Sequence, residues 1–338
     1  EIVVEPLRDH DRGVANVAST LITTETSMNW SAARETGPSK WPLLLRVLRG
    51  TFALLGTVSP PLAARLARRL FLTPPPRRRS KSRAERDCLR AGQRRVVPGL
   101  PGIVVRSWGQ GPAVLLVHGW GGRSGQLHAL VPPLLAAGYR VVAFDGPAHG
   151  ESRGARTDMM RFSDAIGGVA ANLAGAPDGL HAVVAHSFGA ACSLYALQSY
   201  PVVKLVLISC PPHAIWATER FGVALGIPAS TLALMRDAIA REHRARFRWE
   251  ELSMVTLAAR CPNEMLLVHD EQDRLVPYEE SARQILVAAP WLEHLATRGL
   301  GHRSLLSAPV VIASVCEFLR RPASGERTRG AVVLEATA

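Results

Sequence analysis

Between residues 113 and 296 apolar positions gather into short runs, at 113–117, 140–144, 181–185, 204–208, 265–268 and 292–296, with helix-length stretches separating most of them. Runs of this length without a polar alternation predict strands covered on both faces. Their regular alternation with helices predicts βαβ units and a mostly parallel sheet. Ahead of them, residues 94–97 and 103–108 flank Pro98-Gly99-Leu100-Pro101-Gly102 and read as a hairpin. One interval departs from the rhythm, because more than 50 residues separate the run ending at Cys210 from the one starting at Met265. Apolar residues recur there at helical spacing over 215–225, 229–243 and 249–259, which predicts a small helical cap at about 212–260 over the carboxyl edge of the sheet.

The flanks follow other patterns. Residues 41–72 mix apolar and arginine positions as two amphipathic helices, with Leu44, Val47 and Leu48 in the first and Leu62, Leu66, Leu70 and Phe71 in the second. Thr73-Pro-Pro-Pro-Arg-Arg-Arg-Ser80 reads as a stiff, solvated linker, since proline offers no backbone donor. Residues 1–40 are polar and without period. The expected division is a flexible leader at 1–40, a basic helical segment with linker at 41–93, the α/β domain at 94–320, and a tail at 321–338.

Composition excludes several classes. With 338 residues, 47% hydrophobic and 20% charged, the chain is neither disordered throughout, nor collagenous, nor a disulfide miniprotein. Its net charge of +12 is local: residues 40–95 hold 15 basic side chains and two acidic ones, leaving 25 and 26 for the rest. Such a block suits an anionic partner. Specific nucleic-acid binding is not supported, because no aromatic residue stands between Thr73 and Arg95 to stack on a base. Two readings of 41–95 stay open: peripheral contact with an anionic membrane, or packing against the body or the cap. Five scattered cysteines without a CxxC pair indicate neither a disulfide framework nor a zinc site and suit a reducing, cytoplasmic compartment. No uninterrupted apolar stretch reaches the roughly 18 residues of a membrane-spanning helix. Oligomeric state is not legible.

The chemistry concentrates at strand ends. Ala185-His186-Ser187-Phe188-Gly189 follows the run 181–185 and precedes an alanine-rich helix. A serine on so tight a strand-to-helix turn is exposed, and the helix amino terminus behind it favours developing negative charge. His118-Gly119-Trp120-Gly121-Gly122 follows the run 113–117, and backbone N–H groups of Trp120 and Phe188 would supply two donors to a tetrahedral oxyanion. A nucleophilic serine also needs a base and an orienting acid. Candidates lie in His269-Asp270-Glu271-Gln272-Asp273 and in Gly299-Leu300-Gly301-His302, both after strands. Asp270 competes with Asp273 but lies nearer its strand end.

Together with Phe144-Asp-Gly-Pro-Ala-His-Gly-Glu-Ser152, these motifs resemble the α/β-hydrolase superfamily, of the serine esterase and lipase-like bacterial type, over about residues 96–319. The resemblance implies the α/β-hydrolase fold, with Ser187 as nucleophile, His302 as base and then acid, Asp273 as orienting acid, and Trp120 with Phe188 as the oxyanion hole. It further implies cleavage of a carboxylic ester or related acyl bond of a small-molecule substrate, with no metal or organic cofactor. Thioesterase, peptidase, acyltransferase and membrane-associated lipase-like activities are the alternatives on the same triad. Two departures stand out: Ala185 replaces the usual first glycine of the elbow, and Asp270 the glycine after His269. Asp145, Glu151 and Ser152 are read as pins of the turn after the second parallel strand.

Overall fold

A computed structural model describes residues 43–76, 82–198, 204–244 and 246–322, with the backbone of 333–337. The expected leader at 1–40 and the arginines at 77–79 lie outside the described residues.

Nine strands form one sheet: β1 Gln93–Arg95, β2 Val104–Trp108, β3 Ala113–Val117, β4 Arg140–Asp145, β5 Leu180–His186, β6 Lys204–Ile208, β7 Glu264–Asp270, β8 Glu293–Arg298 and β9 Val333–Thr337. Their order is β1-β2-β4-β3-β5-β6-β7-β8-β9, with β1 and β2 antiparallel to their neighbours and the rest parallel. The expected hairpin is therefore present as β1–β2, and the expected tail adds a ninth strand.

Strands β3, β5, β6 and β7 bury both faces. Leu115, Val183, Leu205 and Leu267 enter one core, while Leu116, Val184, Val206 and Leu266 enter the other. Side chains alternate across a strand, so burial on both sides requires an unbroken apolar run. From β3 the chain steps one way, through α4 (Val131–Ala136), to β4, then back across β3 to β5. This reversal opens a crevice at the carboxyl ends of β3 and β5, where open α/β sheets take their ligands.

The amino ends of the strands are closed by buried donors. Lys204, 1% exposed, gives its ammonium to Phe318 O and Arg321 O at the end of α12 (Pro309–Arg320), and Tyr139 Oη and His181 Nε2 reach Leu319 O. Donors placed on the last carbonyls of a helix satisfy groups that the helix itself leaves open.

The basic amino-terminal segment folds as α1 (Leu43–Val58), α2 (Pro60–Phe71) and α3 (Arg83–Ala91). Pro60, placed where α2 begins, ends α1, because a residue preceding proline avoids helical angles. Leu45 and Phe52 of α1 are buried, and Ala63, Ala67 and Leu70 of α2 pack on α8 (Ala229–Glu242). Arg49 donates to Val223 O and Ala224 O at 2.8 and 2.9 Å, at the end of α7 (Ala214–Leu225). Helices α1 and α2 are thus part of the cap, while α3 packs on the body beside residues 124–130, where Trp108 Nε1 donates to Cys88 O at 2.9 Å; both fall within the packing alternative left open by the sequence.

The proline stretch departs from the solvated linker expected of it: Pro74 and Pro75 are buried, and a Cβ on Gly121 would meet Pro75 Cγ at 2.6 Å. Proline has no N–H to satisfy, so it enters an apolar contact at little cost. The expected cap interval divides. Helices α7 and α8 pack with α1 and α2, whereas α9 (Met254–Arg260) packs on α6 (Phe188–Ala196) and α10 (Ala282–Ala288), as a crossover helix does.

Cap and body are joined by polar contacts. Asp158, which caps α5 (Met159–Ala174), meets His243 Nε2 at 3.0 Å; Glu242 beside it bonds Arg161 of α5 and, at 2.9 Å, Arg68 of α2.

Candidate active site

Ser187 sits between β5 and α6 with φ 54° and ψ −123°, a conformation side-chain-bearing residues rarely adopt. Its own N–H is tied to Ile208 O at 2.8 Å, which fixes the turn. Two glycines make the turn fit. A Cβ on Gly189 would stand 2.3 Å from His118 O, and one on Gly119 would stand 3.0 Å from Ser187 Cβ. The elbow and the loop after β3 therefore touch through their backbones, while Ala185 sits without difficulty as a buried strand residue.

His302, on the short helix α11 (Gly301–Ser304) after β8, lies 3.0 Å from Ser187 Oγ through Nε2 and 2.7 Å from Asp273 Oδ2 through Nδ1. Asp273 is 3% exposed, and its Oδ1 accepts N–H bonds from Leu275 and Val276 at 2.9 and 3.0 Å. Burial alone would raise its carboxyl pKa. The His302 hydrogen bond and charge, with the Val276 N–H, outweigh burial and hold it below the usual range.

Asp270 is fully buried and committed elsewhere: Oδ2 accepts from Thr297 Oγ1 at 2.8 Å and Leu300 N at 3.0 Å, and Oδ1 from Gln272 N at 3.0 Å. It ties the ends of β7 and β8 together. Of the two aspartates, Asp273 is the one in contact with His302.

Around the serine, the N–H groups of Trp120 and Phe188 have no acceptor among the described residues. The Trp120 and Phe188 rings meet edge to face, 5.2 Å between centroids. Two buried histidines shape the loop that carries Trp120. His118 Nδ1 donates to Gly119 O and its Nε2 accepts from Gly146 N, and His149 Nε2 accepts from Gly121 N at 2.9 Å. Asp145 accepts from Ser124 N and Glu151 N, and Ser152 Oγ bonds Asp145 O, so the three residues pin their turn as the sequence suggested.

Sequence reasoning missed the task of His186. Its ring lies 4.8 Å from that of His302, and Nε2 donates to His302 O at 2.9 Å, which holds the His302 backbone. Burial, then the neighbouring His302, push the His186 pKa down to about 3; burial, then His269, push His294 to about 4. Both imidazoles stay neutral in the fold but titrate near 6.5 when unfolded. The stability these two imidazoles contribute is therefore present above pH 6.5 and is lost as pH drops toward 4, by about 1.4 kcal/mol per pH unit for each. Thermal unfolding at pH 5 is expected several degrees below that at pH 7.5, and a flat melting temperature across that range would contradict this account.

Over the serine lies a cavity of about 430 Å³. Its walls are mostly apolar: Phe71 and Leu72 come from α2 and its end, Trp216 and Phe221 from α7, and Ile239 from α8. Among the described residues no group of three or more His, Cys, Asp or Glu is placed to hold a metal ion. No single described helix is long and apolar enough to cross a membrane.

The parallel sheet reversing at β3 and β5, with a strained serine at the β5 elbow facing a histidine after β8, is the arrangement of the α/β-hydrolase fold. Residues 112–247 match the family model described as alpha/beta hydrolase fold. The chain is 34% identical over 124 residues to a bifunctional esterase/perhydrolase of Acinetobacter calcoaceticus, covering 35% of this chain and 44% of that protein. It is 31% identical over 150 residues to a non-heme haloperoxidase of Rhodococcus erythropolis, covering 43% and 53%. The matched stretches thus span about half the length of these relatives. An esterase of Pyrococcus furiosus shares the fold, with a TM-score of 0.56 at 19% identity over 75% of this chain and 98% of that one. The chain has the α/β-hydrolase fold.

Proposed function

We propose that the protein hydrolyses carboxylic esters with an apolar acyl group, through an acyl-enzyme on Ser187. The observation that carries this reading is the hydrogen-bonded line Ser187–His302–Asp273 opening into an apolar cavity. Ser187 Oγ attacks the ester carbonyl while His302 Nε2 takes its proton, and the carbonyl oxygen becomes an oxyanion held by Trp120 N–H and Phe188 N–H. His302 returns the proton to the departing alkoxide, leaving the acyl group on Ser187. Water then gives a proton to His302 and attacks the acyl carbon; collapse releases the acid and restores Ser187. Asp273 keeps the Nδ1 proton in place throughout. The esterase activity named for the Acinetobacter relative supports this reading.

A second reading shares the acyl-enzyme. Hydrogen peroxide in place of water would release a peracid, as the perhydrolase half of that relative's name describes. Both readings bring one small polar reactant to the same acyl-enzyme, so peracid release from an ester in hydrogen peroxide is the measurement that separates them.

With p-nitrophenyl esters of increasing chain length, kcat/KM is expected to rise about fourfold per methylene, the equivalent of ~0.8 kcal/mol, until the cavity is full. Ile239→Trp, which places bulk in the wall, is expected to move that plateau to a shorter chain. A rate independent of chain length, or absence of turnover with every ester, overturns the proposal.

A further inference from the structure

Helix α1 has two apolar faces, and the cap covers only one. Leu45 and Phe52 point into the protein, and Arg49 clasps the end of α7. On the opposite side Leu43 is 73% exposed, Val47 55%, Leu54 63% and Val58 73%. At about 100° per residue these four fall within an arc of about 60°, a single stripe along a helix of roughly 24 Å. Leu62, at the start of α2, is exposed as well. Single exposed apolar residues are ordinary on a protein surface, but an aligned stripe marks a surface that meets something.

The charge beside the stripe says what. No acidic residue occurs between Glu35 and Glu85. Arg46, beside the stripe on α1, and Arg65, three residues after exposed Leu62 on α2, stand exposed with no ion-pair partner among the described residues. A partner must therefore offer negative charge and an apolar phase together. Nucleic acid offers phosphate without the apolar phase. A second copy of this chain would set one strongly basic segment against another. A bilayer of anionic lipids offers both, with phosphates at the height of the arginines and acyl chains below them.

We infer that α1 is an interfacial helix, lying flat on an anionic lipid surface with Leu43, Val47, Leu54 and Val58 in the acyl boundary and Arg46 and Arg65 on headgroup phosphates. The same helical hairpin ends in Phe71 and Leu72 at the cavity wall, so an apolar ester dissolved in that bilayer lies close to the site. The inference does not depend on which bond the site cleaves.

Co-sedimentation of the full chain with vesicles tests it. Wild type is expected to pellet with vesicles of phosphatidylcholine and phosphatidylglycerol. Its binding should be about tenfold weaker or more with phosphatidylcholine alone and in high salt. Leu54→Glu with Val58→Glu alters only solvent-facing side chains. This variant is expected to lose roughly tenfold or more of the binding while keeping its melting temperature. Should that variant misfold, Arg46→Glu with Arg65→Glu replaces it, with the same expectation. Wild type remaining in the supernatant with anionic vesicles overturns the inference, and so does a folded variant that pellets like wild type. A wild-type dimer that the stripe substitutions split into monomers overturns it as well, because the stripe would then face a second copy.

Discussion

Replacing Ser187 with alanine should lower kcat/KM toward a soluble p-nitrophenyl ester by roughly four to six orders of magnitude, with KM changed little. In the proposed mechanism the lost atom is the one that bonds to the substrate carbon. What remains comes from groups the change leaves in place, the Trp120 and Phe188 N–H donors and the apolar cavity. The fold is expected to survive, because Ser187 holds its turn through backbone bonds and its φ of 54° strains alanine no more than serine. A fluorophosphonate probe should label wild type and leave Ser187→Ala unlabelled. Equal labelling of the two proteins, or a rate loss of less than tenfold, would assign the nucleophile elsewhere.

The second large effect separates two aspartates three positions apart. Asp273→Asn offers His302 Nδ1 an amide in place of a carboxylate. An imidazole that accepts from that amide carries its proton on Nε2 and cannot take one from Ser187, so kcat should fall about 10⁴-fold with the fold intact. Asp270→Asn acts on the frame instead. It weakens the bonds from Thr297, Leu300 and Gln272, each worth about 1.5–3 kcal/mol when the acceptor is charged. A lower melting temperature is expected, with kcat within about tenfold of wild type. Parallel kinetics and thermal unfolding of the two variants check this, and the reverse pattern would move the orienting role to Asp270.

The central strands were legible because burial on two faces leaves an unbroken apolar run, a signal that survives without knowledge of neighbours. Their carboxyl ends were not. Strands β4, β5 and β7 extend to Asp145, His186 and Asp270, polar residues that serve the site and so broke the pattern that announced the strand. Helix α3 was hidden for a related reason: its arginines and acids read as charge rather than as a face. Yet Ser82 caps it by accepting from Glu85 N, and a serine three residues before a glutamate was a readable sign. Glu85 itself is buried in a bidentate pair with Arg123, a contact between segments that no local pattern announces.

At the site, the motifs named Ser187, His302, Asp273, Trp120 and Phe188, and the structure brings these residues together. The contact of His186 with His302 O spans 116 positions and leaves no trace in spacing. Phe71 and Leu72 escaped notice as cavity walls because they lie in a segment whose charge drew attention away from its apolar side.

That last placement has a consequence for how this protein diversifies. Ser187, Asp273 and His302 stand just past the ends of strands, whereas Phe71 and Leu72 of the cavity wall lie on a hairpin far upstream in the chain. Under the proposed function, reaction and selectivity would be separately heritable: change at 43–72 would reshape the cavity wall while leaving the Ser187–His302–Asp273 line untouched. Two descendants alike from β3 to α11 could serve different substrates, and grafting that hairpin between them would carry the preference across.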